Sequence, residues 1–573
     1  MTSTVARGLA AALRRHGVSD VFGQSLPSLF FLATPEESIR QIVYRTENAG
    51  GAMADGYARV SGKVGVVAAQ NGPAATLLVP PLAEAFKASV PVIAIVQEVP
   101  QAARDRNAFQ ELDHIKLFAA CAKAIHRIDD PARVDDYVDA AVTEATSGRP
   151  GPVVLLVPKD VLAAPLPVAS SRRAGYGHFP LDRYLPGAEQ IKHVADLLAS
   201  AERPLVVAGG GVHVSGAAPE LHDMQQLAAL PVATTPMGKG TVDETDPLSV
   251  GVIGYAMGDY AATHYARPLV ADADVIVFVG TRTNENATDA WRLFPPTATY
   301  VHIDMDPVEV GRNYEAVRLV GDAKLTLRAI VDQLKSSPLD TREAARDQVI
   351  AQIAQARIKH ERRIGPRATA DGSPIRPERI MKELDALLTP DTIVVADASY
   401  SSIWMSNYLR AQRGGQRFLS PRGLAGLGWG LPMAIGAKAA GPNSPVVAVV
   451  GDGGFAHCWS ELETAVRMNL PLTVIVLNNA ILGYQKHSEL HQFAEHTTAI
   501  DITRIDHAAI ATACGARGVR VDVADDLAGA LRDAMGSSAV TVIDVVTAAD
   551  AFPPISAWDD DPTLSELTAG VAL

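Results

Sequence analysis

Short, nearly continuous apolar runs recur along this chain, separated by stretches whose apolar residues fall at helical spacing. Such runs, rich in Val, Ile and Ala, are the pattern of parallel strands covered on both faces. In the first third they are VGVVAA (64–69), VPVIAIV (90–96) and PVVLLVP (152–158). The middle third has PLVVAGGG (204–211), LPVATT (230–235), ADVIVFVG (273–280) and TYVHIDMD (299–306), and the last third DTIVVAD (391–397), SPVVAVVGD (444–452), LPLTVIVLNN (470–479) and AVTVIDVV (539–546). Alternating strands and helices predict an α/β protein with three doubly wound parallel-sheet domains. The expected limits are 1–165, 190–340 and 375–550, followed by a C-terminal tail, 551–573. The Pro/Gly/Ser-rich LAAPLPVASSRRAGYGHFPLDRYLPG reads as one linker, and a charged helical stretch (about 341–364) leading into GPRATADGSPIRP as another. In open parallel sheets ligands sit beyond the carboxyl ends of the strands, so the residues following each run carry the chemistry.

Composition excludes several classes. With 573 residues, 48% apolar and 20% charged, the chain can build several full cores. Lys+Arg 51 against Asp+Glu 64 leaves a net charge of −13, and no run of five basic residues occurs, so a nucleic-acid face is not expected. Aromatics at 5% favour tight α/β layers over an aromatic-rich sandwich. Cys121, Cys458 and Cys514 form no CxxC pair or disulfide framework and read as small buried residues. The N-terminal apolar stretch is broken by Arg14, Arg15 and His16, unlike a secretory signal. The charge-free run Gly423–Ala437 falls short of the ~18 residues a membrane helix needs. A cytoplasmic enzyme without membrane or nucleic-acid partners is expected.

The most specific constellation is GDGGFAHCWSELETAVRMNLPLTVIVLNN, 451–479. One strand ends at Asp452, a helix follows, and the next strand ends at Asn478-Asn479. In a right-handed βαβ unit both carboxyl ends share one sheet edge, so Asp452 and Asn479 can present oxygens to one hard cation. Gly451, Gly453 and Gly454 let the backbone approach a phosphate, with a helix N-terminus behind it. GDGGFA also fits the dinucleotide pattern G-x-G-x-x-A, which expects an acidic ribose ligand after the second strand. Asn-Asn stands there instead, which disfavours a flavin or nicotinamide oxidoreductase. In the first third, Glu47 follows the run QIVYRT and opens a Gly/Ala-rich helix; taken alone it reads as a helix-start carboxylate.

GDG followed by NN resembles the signature of thiamine-diphosphate-dependent enzymes, whose three-domain plan (pyrimidine-binding, central, diphosphate-binding) covers essentially the whole chain. The resemblance implies that Asp452, the Asn479 side chain and the Ile481 carbonyl hold Mg²⁺, with Leu482 and Gly483 beside the cofactor. It implies that Glu47 is the carboxylate that activates thiamine diphosphate through its pyrimidine ring, giving a C2 ylide and then an enamine. PRGLAGLGWGLPMAIGAKAAG (421–441) resembles the segment that bends the cofactor into a V, with Leu427 beneath the rings and the Ala425 carbonyl facing the amino group. Tyr400, Ser401 and Ser402 fall where relatives touch the diphosphate. A homodimer or homotetramer with active sites at the subunit interface is implied. All of Glu47, Asp452 and Asn479 are present, as a catalytically silent homologue would not require.

VSDVFG, NGPAATLL, DRNAFQELD and GLGWGLPMAIGA are similar to the acetohydroxyacid synthase (acetolactate synthase) group, and Phe109-Gln110 match its active-site pair. The implied activity is decarboxylation of a 2-oxo acid such as pyruvate, followed by carboligation. A thiamine-dependent lyase or decarboxylase of another 2-oxo acid, a 2-hydroxy ketone or an acyl-CoA is the alternative. The chain departs from the group after Asn479: Ser488 stands at a specificity Trp position, and Tyr484, Lys486 and His487 make a polar rim that could hold an anionic acceptor. In GTRTNENATDAW (280–291) Arg282 is kept, but Asn284, Glu285 and Asn286 replace the rest of a flavin-contacting stretch. FAD, ADP or no ligand are all left open for the central domain.

Overall fold

The computed structural model describes residues 4–167 and 172–556. Three six-stranded sheets, every pairing parallel, follow one another along the chain. The first contains β1 (Asp20–Gly23), β2 (Arg40–Val43), β3 (Gly65–Ala69), β4 (Val92–Glu98), β5 (Ala124–Arg127) and β6 (Val153–Pro158) in spatial order 2-1-3-4-6-5. The second contains β7 (Pro204–Ala208), β8 (Val232–Thr234), β9 (Ser249–Val252), β10 (Val275–Val279), β11 (Thr299–Asp304) and β12 (Ala316–Val320) in order 12-11-10-7-8-9. The third contains β13 (Ile393–Ala396), β14 (Phe418–Leu419), β15 (Val446–Gly451), β16 (Thr473–Asn478), β17 (Arg517–Val521) and β18 (Thr541–Val546) in order 14-13-15-16-18-17. First and third sheets therefore share one topology. Reversed, the middle order is that of dinucleotide-binding sheets, 3-2-1-4-5-6.

The first and third sheets also share a core. Helix Glu47–Ser61 of the first crosses helix Gly430–Ala440 of the third, and Phe22, Met53 and Tyr57 join Leu431, Met433 and Ile435 in one buried cluster. A Cβ on Gly56 would lie 2.2 Å from the Met433 carbonyl oxygen, and one on Gly436 1.9 Å from that of Met53. The helices thus meet backbone to backbone, a contact that only glycine permits.

The second expected linker proves to be structure. Helix Asp340–Ala368 runs through Pro366 and clamps the middle sheet. Its Arg342, fully buried, donates to the carbonyls of Ala201, Glu202, Ala228 and Ala229, and Arg357 to those of Glu244, Asp246 and Ser249. The charges that suggested a linker are partly backbone anchors. The expected tail is likewise packed where it is described: Ile555 is buried, and the Ser556 hydroxyl donates to the Tyr255 carbonyl at 2.9 Å. Residues 557–573 lie outside the described part, as do 168–171 of the first linker. Among the described residues no helix is long and apolar enough to cross a membrane.

Candidate active site

At the carboxyl edge of the third sheet, β15 and β16 end side by side, with Gly451 paired to Leu477. The turn after β15 carries Asp452 and the turn after β16 carries Asn479, as the βαβ handedness dictates. Asp452 is buried, and its carboxylate accepts from Ala480 N (2.7 Å) and Gly453 N (2.9 Å). Burial pushes its pKa up to about 6, against the pull of those amides. The Asn479 Oδ1 accepts from Ile481 N at 3.2 Å. Together they wall a cavity of about 400 Å³, with Gly451, Gly453, Gly454, Ile481, Leu482 and Gly483. Tyr400 and Ser401, opening helix Tyr400–Tyr408 after β13, line it too, together with Ala425 and Leu427.

A metal-bound diphosphate fits this end. A carboxylate, an amide oxygen and a backbone carbonyl are the hard oxygen donors Mg²⁺ prefers, with phosphate oxygens completing its shell. The Tyr400 hydroxyl is buried with no partner among the described residues, and burial raises its pKa well above the ordinary tyrosine value. A neutral donor aimed into a cavity without an acceptor is what a ligand oxygen would satisfy.

The segment carrying Ala425 and Leu427 is held at both ends by buried carboxylates. Asp397, at the end of β13, accepts from Ala398, Gly428, Trp429 and Gly430 amides at 2.9–3.3 Å. Glu84, from helix Val79–Ala88 of the first sheet, accepts from Gly423 and Leu424 (2.6 Å each) and Ala425 (3.2 Å). Between these clamps Ala425 holds φ 60°, a strained value for alanine. The third sheet returns the contact. Its Glu461, fully buried, accepts from the amides of Arg45 (3.1 Å) and Thr46 (3.0 Å), the two residues before Glu47.

Glu47 itself opens helix Glu47–Ser61 beyond β2, where the Thr46 side chain caps the helix by accepting from Ala49 N. It is half-buried. Phe109 and Gln110 lie on a loop beside the same sheet edge: the Asn71 amide donates to the Gln110 carbonyl at 2.8 Å and Gln70 to its side chain at 3.2 Å. Phe109 is 86% exposed. Glu47, Phe109 and Gln110 thus gather at one edge, but none of them lines the cavity.

Ser402 and two of the three expected rim residues stand off the cavity wall. Ser402 is not in the cavity wall, because its hydroxyl turns inward, donating to the Ser399 carbonyl (2.7 Å) and accepting from Arg422 (2.6 Å). Tyr484 and Gln485 line the cavity and Lys486 does not. His487 is buried and stacked 4.2 Å from the Phe552 ring, and burial drives its pKa down to about 3, so it carries no charge. Sequence reasoning missed Asp397, Glu84, Glu461, Arg422 and Tyr255. Glu84 did leave a trace, as the one acid in the apolar helix VPPLAEAFKA.

A second cavity, about 350 Å³, opens at the carboxyl edge of the middle sheet. Gly210, Gly211, Thr281, Asp304 and six arginines, Arg59, Arg149, Arg183, Arg282, Arg417 and Arg422, line it. Burial lowers the Arg417 pKa to about 10.

Two sheets of one topology flanking a dinucleotide-type sheet, with an acidic glycine-lined pocket at a carboxyl edge, define a cofactor-dependent α/β enzyme. Comparison with known families narrows the class. Residues 3–117 match the model described as thiamine pyrophosphate enzyme, N-terminal TPP binding domain; 191–330 match the central domain; and 397–545 match the C-terminal TPP binding domain. The chain belongs to the thiamine pyrophosphate enzyme family. It is 32% identical to a probable acetolactate synthase large subunit of Methanocaldococcus jannaschii, over 96% of this chain and 93% of that one. It is 34% identical to the acetolactate synthase large subunit of Parasynechococcus marenigrum (95% and 87%), and 30% to the acetolactate synthase isozyme 2 large subunit of Escherichia coli (93% and 93%). It is an acetolactate synthase-like enzyme.

Proposed function

We propose that the chain uses thiamine diphosphate and Mg²⁺ to decarboxylate a 2-oxo acid such as pyruvate and to join the remaining acyl unit to a second carbonyl compound. The observation that carries this reading is the single cavity in which Asp452, Asn479 and the Ile481 carbonyl face Tyr400, Ala425 and Leu427. Thiamine diphosphate, when bound, supplies a nucleophilic carbon and an electron sink. Asp452, Asn479 and Ile481 would hold Mg²⁺ against the diphosphate, and Tyr400 and Ser401 would donate to its oxygens. The Ala425 carbonyl would accept from the aminopyrimidine, and Leu427 would support the rings. Glu47 would hold a proton at the pyrimidine nitrogen, while Phe109 and Gln110 face the substrate.

Those last three residues stand outside the cavity of their own chain, which supports a homodimer or homotetramer in which a second copy completes each site. The middle cavity is read as a nucleotide site, with its arginines set for a diphosphate such as that of FAD or ADP. A flavin spectrum in the purified protein selects FAD, and ADP recovered by mass analysis selects the other. A cytoplasmic location is part of this reading.

Acid quench of enzyme with Mg²⁺, thiamine diphosphate and pyruvate, followed by mass analysis, tests the main activity. Covalent cofactor adducts are expected. Unmodified cofactor would turn the search to other 2-oxo acids, 2-hydroxy ketones or acyl-CoAs.

A further inference from the structure

The third sheet buries a carboxylate that lines neither cavity. Asp544, on the interior strand β18, is fully buried. Its Oδ1 accepts from the Asn478 side-chain amide at 2.8 Å. Its Oδ2 accepts from the His507 backbone amide at 3.0 Å and from Arg520 Nη1 at 3.2 Å. Asn478 is the last residue of β16 and the neighbour of Asn479, and its side-chain amide also donates to the Ile505 carbonyl at 2.8 Å. Asp544 thus ties the exit of β16 to the chain at 505–507.

That chain braces the turn that carries Asn479 and Ile481. Ile502 N donates to the Ala480 carbonyl at 3.1 Å, Leu482 N donates to the Ile500 carbonyl at 3.0 Å, and Ile481 bridges Asp501 in antiparallel fashion. Between Asn479 and Ile481, Ala480 holds φ 58°, a left-handed value that favours glycine. Strain of this kind persists only where the surroundings over-determine it. Asp452 holds the turn through Ala480 N, and residues 500–502 hold it through the Ala480 carbonyl. Asp544 anchors what lies to either side, Asn478 before the turn and His507 after its brace.

A carboxylate taken out of water is costly unless donors meet it. Among the described residues its one Arg or Lys ion pair is with the partly exposed Arg520, and its other two partners belong to the turn's entry and to the bracing chain. Mg²⁺ demands near-ideal octahedral geometry at short distances, whereas Ca²⁺ accepts longer and more irregular ones. A rigid turn therefore matters more to the smaller ion.

We propose that Asp544 is a positioning residue for the metal site, holding Asn478 and the 505–507 chain so that the Asn479 side chain and the Ile481 carbonyl keep the spacing that favours Mg²⁺ over larger divalent cations. This rests on the metal–diphosphate reading above.

The test titrates Mg²⁺ and, separately, Ca²⁺ into the full-length enzyme at fixed thiamine diphosphate, read by intrinsic fluorescence, with the Tm of the apo-protein alongside. Asp544→Asn leaves one oxygen for three donors. Its Mg²⁺ Kd should rise about tenfold or more, the usual cost of losing a residue that orients a ligand. Its Ca²⁺ Kd should rise less than about threefold. Asn478→Ala keeps the carboxylate but removes the link, and should show the same bias; the double variant should be no weaker than Asp544→Asn alone. Arg520→Gln removes the ion pair and neither brace, so it should lower Tm and leave the ratio of the two Kd values within about twofold. A folded Asp544→Asn with unchanged Mg²⁺ Kd, or with equal losses of Mg²⁺ and Ca²⁺, overturns the proposal and leaves Asp544 a residue of stability alone. If Asp544→Asn does not fold, Asn478→Ala decides by the same two criteria. A wild-type enzyme that binds neither cation with the cofactor overturns the metal reading itself, and the positioning role with it.

Discussion

Asp452 concentrates the chemistry of the site at one residue, because the burial that shapes the pocket also holds its pKa near 6. If Asp452 holds Mg²⁺ as proposed, it must be ionised to do so, and protons compete with the metal as pH falls through that value. Mg²⁺ affinity at fixed cofactor should therefore be flat above pH about 7 and drop by about tenfold per unit below 6, read by titration across that range. For the apo-protein the sign is opposite. A carboxyl with a raised folded pKa costs no stability below its unfolded value and costs most above pH about 6. Stabilisation by Mg²⁺ and cofactor should thus be larger at pH 8 than at pH 5 in a thermal melt. Tyr400→Phe separates structure from binding in a similar way. Removing an unsatisfied buried hydroxyl should leave the apo-protein's Tm equal or higher while weakening cofactor binding by about 1 kcal/mol, measured by calorimetry. Glu47→Gln should slow proton exchange at the cofactor's reactive carbon by roughly 10²–10⁴ and leave cofactor binding intact; unchanged exchange would remove Glu47 from the mechanism.

At the scale of elements, most interior strands were legible in the sequence and most edges were not: buried β1 went unread, while the edge strand β2 was read from QIVYRT. The apolar runs predicted β3, β4 and β6, four strands of the middle sheet and four of the third. The unread strands are mostly rims: β5, β9, β12, β14 and β17 each sit at a sheet edge. A strand open on one side needs less apolar surface, and β17 reads RGVRV, half exposed. Segments that bear glycine were read from close-approach logic, so the cavity floor was visible. The clamps were not, because Glu84 and Glu461 act on backbone amides far away in sequence. Glu84→Ala should leave the amides of residues 423–425 without acceptors and cost about 2 kcal/mol, seen as a lower denaturation midpoint. If it positions Ala425, Glu84→Gln should lower kcat more than Tm. Gly436→Ala drives a methyl into the Met53 carbonyl and should cost about 2–3 kcal/mol, or block folding outright.

The whole molecule is organised by a division of labour between like sheets. The first and third share a strand order, yet one carries Glu47 at its carboxyl edge and the other the cavity lined by Asp452 and Asn479. Their motifs could be read in sequence separately, and the family resemblance alone implied that a second copy completes each site. If a second copy completes each site, two inactive variants should rescue each other. Glu47→Gln mixed with Asp452→Ala after dissociation and reassembly should recover about a quarter of wild-type activity, since random pairing makes half the dimers mixed, each with one intact site. No recovery, with mixed dimers verified by mass, would place both residues in a site made by one chain.

The exchange of carboxylates between these sheets has an evolutionary side. Glu84 holds the loop of its neighbour that carries Ala425, and Glu461 holds the strand exit that presents Glu47. Each domain takes part of the anchoring of its site-facing backbone from the other, with Asp397 adding an anchor from within the third. The two must therefore be inherited as a unit. Chimeras that graft a foreign first domain onto this third domain will misplace both loops unless the donor brings a matching acid.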